Sequence, residues 1–165
     1  MTIRHLALLA WLCSSGALAA GDSARIEVTG QLISPPCSAR FAGVQQVDLG
    51  VVSLNQLHDA KVGSVDVPLV FDCRDASRVD LKLSAASTSD RRTLATSLAQ
   101  LGLRLSLLRP QVAGTEIDFG LGQSNAFTVS GKTLELVLRV TPVMLEALPE
   151  AGSYNALLML EMTYL

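Results

Sequence analysis

Few side chains in this 165-residue sequence are of the types that do chemistry, and their spacing decides what they can do. Cysteines stand at 13, 37 and 73, and histidines at 5 and 58. A bound transition metal needs several Cys or His ligands converging on one ion, which a chain signals by short repeats such as CxxC or HxxxH. Neither spacing occurs, and His58 stands among Asn55, Gln56 and Asp59 as an exposed loop residue. No metal and no cofactor is expected. Catalysis would need a nucleophile with a base and an orienting group, or a phosphate-cradling loop. The sequence holds no GxSxG elbow, no P-loop and no GxGxxG. Asp72, Asp75 and Asp80 cluster beside Arg74 and Arg78, but mixed signs around a strand end mark a solvated face. Gly120-Leu121-Gly122 has no helix after it to bind an anion, so it reads as a bend or hairpin. The chain is not expected to be an enzyme.

The first cysteine belongs to a different part of the chain from the other two. Met1 to Ala19 has Arg4 and His5 at its start, an apolar run from Leu6 to Leu12, and Ala17-Leu18-Ala19 as a small-residue cleavage site after Ala19 or Ala20. That is the pattern of a secretory signal peptide. Ser14, Ser15 and Gly16 interrupt the apolar run well before the ~20 residues a membrane span requires, so no stable membrane anchor is expected. Trp11 and Leu12 before Cys13 replace the small residues of a lipid-attachment site. With Cys13 removed, Cys37 and Cys73 are an even pair in an oxidising compartment and are expected to form a disulfide. Closing a loop of that length stabilises a fold by roughly 3 to 4 kcal/mol in the chain-entropy model.

Charge excludes another class. The whole chain has 13 basic and 15 acidic residues, and loss of Arg4 with the leader leaves 12 against 15, about three net negative charges. Basic residues are scattered singly except for Arg91-Arg92, so the clustered field that binds nucleic acid is missing, and no nucleic-acid partner is expected.

The elements that position these residues are read from a period of two, because successive strand side chains point to opposite faces. Ile26, Val28 and Leu32 alternate with Glu27, Thr29 and Gln31, and Val65, Val67, Leu69, Phe71 and Cys73 share one parity. Val79, Leu81, Leu83 and Ala85 form a third row, Leu101, Leu103, Leu105 and Leu107 a fourth, and Leu134, Leu136, Leu138 and Val140 a fifth. A final strand is expected from Tyr154 to Leu165, with shorter ones around Val47 to Leu49 and Phe127 to Val129. Ser34-Pro35-Pro36, Ser130-Gly131 and Pro149 to Ser153 supply turns. About eight short strands so punctuated predict one all-β sandwich, with helical turns only at Thr93 to Gln100 and Val143 to Ala147.

Three segments carry a family resemblance across essentially all of the exported chain. Arg25 to Cys37 (RIEVTGQLISPPC) places Gly30 seven residues before the first paired cysteine, and Val67 to Cys73 (VPLVFDC) delivers the second. Gly152 to Leu165 (GSYNALLMLEMTYL) has glycine fourteenth from the end, a penultimate tyrosine, and Leu158, Leu160 and Met162 alternating between them. Together they resemble the chaperone-usher pilins of the type 1 fimbrial family, the C-terminal pattern being that family's chaperone-recognition segment.

The resemblance implies an incomplete immunoglobulin-like sandwich that lacks its last strand and is completed by donor-strand exchange. A signal peptide over 1–19, an N-terminal donor segment over 20–34 that merges into the first strand, and a pilin domain over 35–165 follow from it. Ile26, Val28, Gly30 and Leu32 would be the donor face. Gly152, Tyr154, Ala156, Leu158, Leu160, Met162 and Tyr164 would edge the groove, with the Leu165 carboxylate held by basic residues of a periplasmic pilus chaperone. The outer-membrane usher and neighbouring pilin subunits, in a homo- or heteropolymer, would be the other partners, and the destination a cell-surface fimbrium supporting adhesion. About six residues separate the leader from Ile26, a short donor that leans toward a minor or adaptor subunit. No additional domain of the kind tip adhesins carry is expected. The alternative is a closed periplasmic or secreted β-sandwich that binds a ligand and does not polymerise.

Overall fold

A computed structural model describes residues 25–88, 90–110 and 115–164, and the predicted leader with its cleavage site and Leu165 lie outside the described residues. The chain divides into two units, Met1–Ile33 and Ser34–Leu165.

Within the second unit, the apolar rows read from the sequence form the centres of two sheets. The larger has β1 (Cys37–Ala39), β2 (Val65–Cys73), β8 (Thr133–Met144), β5 (Leu101–Arg109) and β4 (Thr93–Ala95) in that order, with β6 (Thr115–Ile117) also on β5. The smaller has β7 (Ser124–Thr128), β3 (Arg78–Ser84) and β9 (Met159–Tyr164), with β3 in the middle. Every pairing is antiparallel. Registers match like with like: Leu69 faces Leu136, and Leu105 faces Val140, so one parity of each strand is continuously apolar. Those rows meet Val79, Leu81 and Leu83 of β3 and Phe127 of β7 in one shared core. Leu105 and Leu136 at its centre are 1% exposed. Gly122 (φ +81°) and Gly131 (φ +84°) make the turns before β7 and β8, a left-handed conformation that a side chain disfavours.

Several elements differ from expectation. Thr93–Ala95 is a strand, not a helical turn: Thr93 is fully buried, and Leu94 pairs with Leu103 in register. Asp90 organises its entry by accepting from the Thr93 and Thr88 hydroxyls and from the backbone N–H groups of Arg92 and Thr93. Nor does Val143 begin a helix, because β8 continues to Met144, after which Gln100 Oε1 accepts from the N–H groups of Glu146 and Ala147. The one helix among the described residues, α1 (Leu54–His58), was expected to be loop. Ser53 and Gln56 form a capping box at its start and Leu57 is buried beneath it, so His58 lies in its last turn, exposed beside Asp59.

Two alternating segments form no strand. Val47 to Leu49 has no ladder partner, and Arg25 to Ile33 is irregular. In the latter Val28 is 89% exposed and Ile26 and Leu32 are likewise exposed, so the expected buried face is absent. Alternation specifies an apolar face; burial needs a neighbour with an unpaired edge of its own.

Candidate binding groove

One side of the sandwich is built from two edges that do not pair with each other. The first starts at β1, whose Cys37 is in register with Cys73 of β2 and disulfide-bonded to it, with Cα atoms 4.0 Å apart. Arg40 extends this anchorage through its N–H to the Val70 carbonyl (2.9 Å) and its guanidinium to Asp72. The hydrogen bond to Arg40, opposed in part by burial, holds the Asp72 carboxyl below the usual carboxylate range. Phe41 then packs edge-to-face on Phe71, with ring centres 5.3 Å apart. Beyond Phe41 the chain leaves the sheet as far as Ser53, and of residues 42–50 only Leu49 is half-buried and packed on the core.

The second edge is the C-terminal segment. β9 lies on β3 from Met159↔Ser84 to Tyr164↔Val79, and among the described residues it pairs with nothing else. Upstream, Asn155 is tied to Ser97: its carbonyl accepts from the Ser97 N–H (2.9 Å) and its N–H donates to Ser97 Oγ (3.0 Å). The strand was expected to begin at Tyr154; instead the ladder starts at Met159, whose partner Ser84 is the last residue of β3, while Asn155 upstream is bonded to Ser97. Tyr164 bridges the two edges, its hydroxyl donating to the Cys37 carbonyl at 3.0 Å, which places β1 and β9 on the same side of the sandwich.

Along this side the core is only partly covered. Tyr154, Leu158, Leu160, Met162 and Tyr164 share the inward parity and pack against the core, yet each remains half-buried, as do Phe41 and Leu49 opposite. Ala156 and Gly152 are exposed, the latter beside Leu98. The outward side chains change character along the segment. Glu161 is paired with Lys82 at 3.4 Å, while Leu157 is 81% exposed and Met159 more than half exposed. Burial first, and then the charge of Asp48, push the Tyr154 phenol above its ordinary pKa. The result is a trough with one free backbone edge, a half-covered apolar floor and an aromatic at each end. Of the expected donor face, Ile26, Val28 and Leu32 stand exposed, and a side chain at Gly30 would meet nothing within 4 Å.

The first wall, from Cys37 to Leu49, was not read from the sequence as part of a site. Its signal was present in Val47-Asp48-Leu49, an alternation too short to show what it faces. What such an arrangement offers is a free backbone edge above an apolar floor. It can accept an extended segment, which would add main-chain hydrogen bonds to β9 and cover the inward row. Among the described residues no group of three His, Cys, Asp or Glu could hold a metal ion, and no helix is long and apolar enough to cross a membrane.

Residues 26–165 match a family model described as fimbrial protein. No curated protein matches the sequence. Among solved structures the chain is similar to the P pilus rod subunit PapA, with 19% identity, a TM-score of 0.60, and coverage of 79% of this chain and 100% of that one. A structure of a chaperone-usher pilus matches over 87% of this chain and 96% of its own, at 18% identity and a TM-score of 0.61. The P pilus adaptor subunit PapF matches over 79% and 96%, at 17% identity and a TM-score of 0.54. The shared fold is an immunoglobulin-like sandwich that is incomplete on one side.

Proposed function

The chain belongs to the fimbrial protein family, and from that membership we propose that it is a structural subunit of a chaperone-usher pilus, joined to its neighbours by strand insertion. The observation that carries the mechanism is the unfinished side of the sandwich, where β9 has a free edge and the row Leu158, Leu160, Met162 and Tyr164 is half-buried. An unpaired edge beside an uncovered apolar floor is a template for another strand and a hazard while it stays empty. In the periplasm a pilus chaperone covers the groove. At the outer-membrane usher the N-terminal segment of a second subunit replaces it, with Ile26, Val28, Gly30 and Leu32 as the inserted face. Exposure of that apolar row in the same chain supports the assignment, since a segment without burial at home gains all of its burial in a neighbour.

The subunit is exported through the periplasm to the surface fimbrium and supports adhesion as part of the polymer. The closed-sandwich alternative requires the inward face of β9 to be covered within the chain, and half-burial along that row disfavours it. The test is co-expression with the periplasmic pilus chaperone, with and without residues 154–165. A stable one-to-one complex that the deletion abolishes supports the proposal. A chain that purifies alone as a durable monomer, with no tendency to associate, overturns it.

A further inference from the structure

Among the described residues two buried side-chain oxygens have no hydrogen-bond partner, Ser84 Oγ and the Tyr154 hydroxyl, and both adjoin the C-terminal segment. Native proteins satisfy nearly all buried polar groups, because an unpaired one has lost its hydration and gained nothing in exchange. Ser84 sits on the outer face of β3 opposite Met159, away from the groove. Tyr154 is placed differently. It shares the inward parity of Leu158 and Leu160 and packs on the core, yet like them it stays half-buried. At the other end of the trough Tyr164 has the same chemistry, but its hydroxyl is already engaged with the Cys37 carbonyl. One end is therefore closed within the chain and the other holds a hydroxyl with nothing to bond.

We infer that Tyr154 is a positioning residue for the inserted strand, its hydroxyl donating to a main-chain carbonyl of that strand and so becoming satisfied only when the groove is filled. The inference rests on the strand-insertion reading given above. Burial and the neighbouring Asp48 carboxylate both favour the protonated phenol, which keeps the group a donor. A carbonyl also reports register, because the carbonyls of a strand point alternately to its two edges. An inserted segment displaced by one residue turns that carbonyl to the opposite edge and leaves the phenol unpaired again. Tyr154 would thus reinforce the parity that the apolar row of the inserted strand already sets.

The experiment compares the refolded exported chain with its Tyr154→Phe variant, using a labelled peptide of residues 25–34 as the inserted strand. Two quantities are read: the release rate of bound peptide into excess unlabelled peptide, and the urea midpoint of the unfilled chain. Loss of one hydrogen bond made only in the filled state speeds release roughly 3- to 10-fold, while the unfilled midpoint stays level or rises. Tyr164→Phe serves as the opposite case, since removal of a bond already made lowers the unfilled midpoint. Equal release rates for wild type and Tyr154→Phe overturn the inference, as does a lower unfilled midpoint in that variant, which would mean that the hydroxyl is already satisfied. If wild type itself retains no peptide, the strand-insertion reading falls and the inference falls with it.

Discussion

The centre of the larger sheet and the rim formed by β9 are written in the same apolar-polar alternation, yet they end in different states. In β2, β8 and β5 each inward side chain meets a partner row and the opposing sheet, and Leu69, Leu136 and Leu105 are almost fully buried. In β9 the inward row has β3 on one flank and, among the described residues, no strand on the other, and Leu160, Met162 and Tyr164 stay half-buried. The difference lies in connectivity and not in composition: the centre has two neighbours from its own chain, the rim one. Period two reports which face is apolar and is silent on whether the chain itself supplies the cover.

Truncation of one leucine in each region sharpens that contrast most. Leu136→Ala should cost about 2–5 kcal/mol, the range for a large-to-small change in a packed core, whether or not the groove is filled. Leu160→Ala should cost less in the unfilled chain, because part of its surface already meets water, and more once a peptide of residues 25–34 covers it. Urea denaturation of both variants with and without peptide checks this. If Leu160→Ala costs as much empty as filled, the two regions do not differ as argued.

The disulfide comes next, since it fastens the wall opposite β9. Replacement of both cysteines by serine should destabilise the domain by about 2–5 kcal/mol and loosen the peptide as well, because β1 carries the carbonyl that Tyr164 grips. A variant that loses stability but releases peptide at the wild-type rate would show that this wall plays no part in the groove.

How much of this was legible in the sequence follows the same division. The rows in β2, β3, β5 and β8 were readable because their partners lie in the same chain and enforce the pattern over seven or more residues. The pairing of Cys37 with Cys73 needed only the arithmetic of an exported chain. Short elements were lost. Thr93–Ala95 was read as helical because three residues carry too little period to outweigh propensity, and Asp90, which sets its entry, acts through hydrogen bonds that no pattern displays. The helix α1 did leave a signal, Ser53 three residues before Gln56, but the five helical residues that follow are too few to display a period. At the groove the inward parity of β9 was evident, but its opposite wall and the point near Met159 where the ladder begins depend on tertiary placement.

A smaller effect separates the two ends of the trough. Tyr164→Phe removes a hydrogen bond that spans β9 and β1, and should lower the stability of the unfilled chain by about 1 kcal/mol. Thermal or urea unfolding measures it. No loss would mean that the two edges are held together by apolar contact alone.

Acid provides the finest test, because it acts on the closed region through few groups. Burial opposes ionisation of Asp90, but its bonds from Thr93, Arg92 and Thr88 outweigh that and hold its pKa far below the ordinary value. Hydrogen bonds from Arg139 and Arg40 depress Asp66 and Asp72 as well. A carboxyl whose pKa is lower folded than unfolded binds protons more readily in the unfolded chain. Its contribution is therefore fully present above the unfolded value of about 4 and declines as pH falls below it. Asp66 and Asp72 are exposed on the sheet surface and screened, so the part attributable to one group should come chiefly from Asp90. Asp90→Asn cannot titrate at that position. The variant should be less stable than wild type at pH 7, and the gap between their urea midpoints should narrow from pH 5 toward pH 2. A gap that holds constant over that range would show that the Asp90 charge is not what secures the entry to β4.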